Sequence, residues 1–138
     1  MNKLFLKLIV LVSALLVFGL ATASAGTRAI AISEPANGAT ISGLVKVCMV
    51  THNVTVEPAK KGVHDGKGHH HILIDTDLPT DLSKPIGKDT QHIHMGDGST
   101  CKTLTLEPGV HVIRALFAQG NHVPYNPPIT TTVIVNVK

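Results

Sequence analysis

Beyond residue 25 the chain has no run of ten or more residues with apolar side chains at three-and-four spacing, and no segment with helix caps at both ends. That absence restricts the fold more than any other feature of the sequence. What recurs is the short alternating run closed by turn residues. Strands are expected over residues 28–33, 44–51, 53–57, 69–75, 91–94, 100–106, 111–118 and 129–137. Turn chemistry separates them: Glu34-Pro35-Ala36-Asn37-Gly38, the glycine-rich stretch 62–68, and Met95-Gly96-Asp97-Gly98, which lacks the Gly-Lys-Ser/Thr ending of a phosphate loop. Glu107-Pro108-Gly109-Val110 reads as a type II hairpin, Pro setting φ and Gly permitting a positive one. Seven or eight short strands in about 110 residues fit an all-β, immunoglobulin-like β-sandwich.

Alternation also assigns faces. Ile129, Thr131, Val133, Val135 and Val137 share one side of the last strand and should be core. By the same parity Val45, Val47 and Met49 point inward and Lys46 and Cys48 outward, while Leu104 and Leu106 point inward and Cys101 outward. The segment 76–90, with Pro79 and Pro85, has no pattern of its own, and loops of that length are often functional or mobile.

The first 25 residues read as a secretory signal: Lys3 and Lys7 form a basic start, residues 8–20 an apolar run, and two small-residue sites follow, of which cleavage after Ala25 is favoured. The rival reading is an uncleaved anchor. Cleavage leaves one domain, 26–138, periplasmic or secreted, with no membrane span. Lys3 and Lys7 leave with the leader, so ten basic residues face nine acidic ones, and the precursor's pI of 9.0 is no argument for nucleic acid. One tyrosine and three phenylalanines, with no tryptophan, give no stacking platform for bases either. In an oxidising compartment Cys48 and Cys101 are expected to form a disulfide; the alternative is a pair of thiolate metal ligands beside Met49.

All nine histidines follow the leader, and five fall in two groups, His69-His70-His71 and His92-Ile93-His94. In an extended strand residues two apart share a face, so His69 pairs with His71 and His92 with His94. Each such pair is a bidentate imidazole chelator, and two adjacent strands would complete a site for copper or zinc, copper being favoured because oxidising conditions present Cu(II) and Met95 offers a softer contact. His122 is the best further ligand, with Asp75, Asp97 and Met95 as supplements. His70, on the parity of Ile72 and Ile74, and His111, on that of Ile113, Ala115 and Phe117, are expected as buried, hydrogen-bonded core residues. His52 and His64 should be solvated.

The blocks Gly68-His69-His70-His71-Ile72-Leu73-Ile74-Asp75, Pro85-Ile86, His92-Ile93-His94-Met95-Gly96-Asp97-Gly98-Ser99-Thr100, Pro108-Gly109 with His111, and His122-Val123-Pro124 with Pro127-Pro128, in that order, resemble the bacterial and archaeal family catalogued as domain of unknown function 4399. The resemblance implies an exported small β domain and carries no established reaction or ligand; the cysteine pair is not part of its pattern. From the residues themselves, the leading function is an envelope metal-binding protein with His69, His71, His92, His94 and His122 as ligands. The alternative is an envelope interaction module with structural histidines and a protein partner, met through 76–90 and 121–128. Catalysis is the weakest reading: a three-histidine metal with an open position could activate water with Asp75 or Asp97 as base, but there is no nucleophile elbow, dinucleotide loop or carboxylate pair.

Overall fold

Strands form where the alternation predicts them, and they lie in two layers. The computed structural model describes residues 26–138; the expected leader, 1–25, lies outside the described residues. In chain order the strands are β1 (Ala29–Glu34), β2 (Thr40–Ile41), β3 (Val45–His52), β4 (Thr55–Val56), β5 (Lys67–Ile74), β6 (His92–His94), β7 (Cys101–Leu104), β8 (Gly109–Ala118) and β9 (Pro124–Val137), with one 3-10 turn at Ala59–Lys61. One sheet runs β1-β3-β7 and the other β2-β9-β8-β5-β4, with β6 also on the free edge of β5. Most pairs are antiparallel; β2 lies parallel to β9 and β4 parallel to β5. β1, β3 and β7 stand where an immunoglobulin-like sandwich has strands A, B and E, and β5, β8 and β9 where it has C, F and G.

The inward parity of each long strand builds the core. Val45, Val47 and Met49 of β3 meet Ile72 and Ile74 of β5, Ile113, Ala115 and Phe117 of β8, and Ile129, Val133, Val135 and Val137 of β9. At about 25 cal/mol per Å² of apolar surface removed from water, this layer is the main stabilising contact between the sheets. Cys48 stands directly opposite Cys101 across β3 and β7, and the two form a disulfide inside one sheet, next to the exposed Lys46 and Lys102. The thiolate-ligand alternative is thereby excluded.

Two expectations are corrected. Pro108-Gly109 is not a hairpin: β7 belongs to the β3 sheet, whereas β8 starts at Gly109 opposite Val137 of β9, so the turn carries the chain from one layer to the other. Gly109, at φ 138°, takes a backbone conformation that a side chain would strain. The segment 76–90 is also not patternless: Ile86 is buried against Leu73, Leu116 and Ala118 on the outer face of the large sheet, with Leu78 beside it. β5 is therefore covered on both faces, every residue from Gly68 to Ile74 being buried. This second, smaller core positions the site.

Candidate metal centre

β5 is the strand next to the far edge of the large sheet, and its alternation sends His70 inward and His69 and His71 to the outer face. Two neighbours bring further imidazoles there. β6 pairs antiparallel to β5 with His94 directly opposite His71, which sets their rings 5.1 Å apart. On the other side His69 is opposite Ala118, the last residue of β8, so the turn that leaves β8 arrives beside it. That turn is closed by the Gln119 and His122 amides, donating to Val123 and Gln119 carbonyls at 3.0 and 2.8 Å, and His122 sits at φ 67°. The Ile86 amide donates to the His122 carbonyl at 2.9 Å, locking the covering segment onto the same turn.

The result is a cluster of four imidazoles, His69, His71, His94 and His122, each offering one nitrogen within 4.8 Å of the others. His69 Nε2 lies 3.1 Å from His71 Nε2 and 3.1 Å from His122 Nδ1. One ring nitrogen carries either one hydrogen or one lone pair, so it cannot satisfy both contacts. Among the described residues no partner reaches His94 Nε2, His69 Nδ1 or His71 Nδ1, all buried. Metal–nitrogen bonds of 2.0–2.1 Å arranged tetrahedrally hold their donors about 3.3 Å apart, so the shorter spacings already match an ion's coordination sphere. By donor chemistry and spacing these residues can hold a transition metal.

Electrostatics keep the donors in the form a metal needs. Burial, then the neighbouring imidazoles, pushes the His69 ring down to about 4 and that of His71 to about 3, and His94 is shifted the same way. At neutral pH these rings are uncharged and their lone pairs are free.

The positions of the other expected residues follow from the register. His92 is opposite Leu73, two pairs along from His71 and His94, and its Nδ1 donates to Asp89 Oδ1 at 2.8 Å, so it stands outside the four-histidine cluster. Asp75 accepts from the Val112 amide and from His111 Nδ1 at 2.7 Å each, and Asp97 from Ser99, while Met95 is buried in the main core, so none of the three supplements joins the cluster. His70 is buried against Phe117 as expected, yet neither ring nitrogen has a partner among the described residues. His111 is held at the sheet end by Asp75 and the Glu107 carbonyl, and those two acceptors raise its pKa. His64, expected in solvent, is half exposed and donates to the buried Glu57 at 2.6 Å.

One contributor escaped sequence reading. A β-carbon on Gly96 would come 2.2 Å from His94 Cε1 and Nε2, so the ring lies against the Gly96 backbone and a side chain there would displace it. The glycine-rich turn after β6 was the available signal.

Beside the cluster lies a cleft of about 150 Å³ lined by His71, Ile86, Gly87, Lys88, His94 and His122. His69 and His71 form the buried wall of the site and His94 and His122 the more open one. Among the described residues no helix is long and apolar enough to cross a membrane. No curated protein and no solved structure matches the chain. Residues 47–138, which include all four clustered histidines and the strands that carry them, match the model of the family described as domain of unknown function (DUF4399), and the chain belongs to that family.

Proposed function

We propose that the chain, after loss of the leader 1–25, is a periplasmic or secreted single-domain protein that binds one copper or zinc ion through His69, His71, His94 and His122. The observation that carries this reading is the convergence of four imidazoles from β5, β6 and the β8–β9 turn, with one nitrogen in two contacts that it cannot satisfy together. The donor set is all nitrogen, which suits Cu(II) and Zn(II) alike; the thioether of Met95, which would favour Cu(I), faces the core instead. Two ligands sit on a central strand packed on both faces, which favours a preformed geometry over one assembled by the ion.

Isothermal titration of metal-free protein tests the proposal. One equivalent of Cu(II) or Zn(II) should bind tightly, and His94→Ala or His122→Ala should weaken it at least 100-fold, whereas His92→Ala should change it less than threefold. Absence of tight binding by both ions sinks the reading and leaves the histidines as a structural network beneath an interaction surface. Equal damage from His92→Ala and His94→Ala would show that the ligand set is wrong.

A further inference from the structure

Building on the metal reading, we infer that the cleft beside the cluster is an anion subsite, in which a small inorganic anion ligates the bound ion and is held by Lys88. Charge balance leads there. Four neutral imidazoles contribute no negative charge, so a divalent ion keeps its full +2 in a half-buried position, where an uncompensated charge is costly. The cleft that borders His71, His94 and His122 adds no carboxylate; its one charged lining residue is Lys88, a second cation. The field of Lys88 reaches the site, disfavouring protonation of His94. Asp97 acts on His94 in the opposite sense, but its carboxylate is occupied by the Ser99 amide and hydroxyl at 2.9 and 2.7 Å, and the cleft it lines with Lys102 meets the cluster at His94 alone.

Geometry sets the size of the anion. A water's share of liquid volume is about 30 Å³, so a cleft of about 150 Å³ has room for a small anion of a few non-hydrogen atoms. Its apolar wall is Ile86, anchored in the outer core, and its floor is the three imidazole edges. A triatomic or small planar anion therefore meets the ion at one end and the ammonium at the other. Cu(II) accepts such a fifth ligand readily, and the site becomes one that recognises an anion through a metal rather than one that only stores the metal.

The test uses the full domain loaded with one equivalent of Cu(II) and titrated with sodium azide, read by the azide-to-copper charge-transfer absorption and by electron paramagnetic resonance. Azide should saturate with a shift of the copper signal. Lys88→Gln should weaken azide about tenfold and Lys88→Glu further, with copper affinity unchanged within threefold; Lys102→Gln, in the neighbouring cleft, should leave azide affinity within twofold. Copper binding with no azide-induced change overturns the subsite, and azide binding as tight in Lys88→Gln as in the parent overturns the role of Lys88. Failure to bind copper at all is read before azide is added and overturns the metal reading together with this one.

Discussion

At the scale of single residues, the site depends as much on what lies under the ligands as on the ligands. His94 Nε2 has no partner among the described residues, and its ring lies against the bare backbone of Gly96. A methyl group at that position must push the ring aside, because the contact would be far inside van der Waals distance. Gly96→Ala should therefore lower metal affinity about tenfold while changing the melting temperature of the metal-free protein little, as measured by competition against a chromophoric chelator and by thermal unfolding. A variant that binds as tightly as the parent would show that the ring is free to find another position. This dependence could not be read from the chain, where Met95-Gly96-Asp97-Gly98 looks like any tight turn. The choice between His92 and His94 was equally hidden. Both lie on one face of β6, and only the register, with His94 opposite His71, decides which one reaches the cluster.

At the scale of elements, β5 and β8 are held at their outer ends by Asp75, whose backbone takes φ 53° and whose carboxylate grips β8 through the Val112 amide and His111. Partial burial raises the carboxyl pKa, but these two hydrogen bonds outweigh it and leave the group below its ordinary value. Acceptance by Asp75 and the Glu107 carbonyl raises His111 above its own. The two shifts have opposite pH signs. A raised histidine stabilises fully below its unfolded pKa, about 6.5, and stops doing so as pH rises through the folded value. A lowered carboxylate stabilises above its unfolded value, about 3.9, and stops as pH falls through the folded one. The tie is thus strongest between about pH 4 and pH 6.5. Asp75→Asn, which keeps the tolerance for positive φ, should lose roughly 1 kcal/mol in that window after allowance for solvent screening, and less at pH 8. Denaturant unfolding of parent and variant across pH checks this; a constant difference from pH 4 to 8 would remove the ion pair from the account. The strand pattern itself was legible: the apolar members of β9 that share parity, Ile129, Val133, Val135 and Val137, are all buried. The beginning of β9 was not, because Pro124, Pro127 and Pro128 argue against a strand, and pairing survives there only across an irregularity between Phe117 and Ala118.

At the scale of the whole molecule, the disulfide and the histidine cluster occupy different sheets. Joining positions 53 residues apart, the bridge stabilises by about 4 kcal/mol in the chain-entropy model. Replacing Cys48 and Cys101 together by serine should therefore lower unfolding free energy by roughly that amount and leave metal affinity within threefold, as read by denaturant unfolding and calorimetry. A large fall in affinity would mean that the two layers are coupled. The sequence conveyed the sandwich and the outward face of His69 and His71, consequences of a two-residue repeat, and the cysteine pairing through the oxidising compartment that its leader implies. It did not convey the turn from β7 to β8 as a passage between layers, since Pro-Gly chemistry serves either role. Nor did it convey the cover over the cluster, because Leu78, Leu82 and Ile86 are scattered apolar residues in a segment with no alternation.

The alternation of β5 has a last consequence. Its three successive histidines are divided between the two faces, two outside and one inside. Were β5 to slip by one residue against β8, His69 and His71 would be driven into the apolar interior, and a lone imidazole, His70, would be left to meet the ion. On the proposed metal reading, register and binding are linked: a molecule misaligned by a single step would present one imidazole from β5 in place of two and would bind the ion poorly.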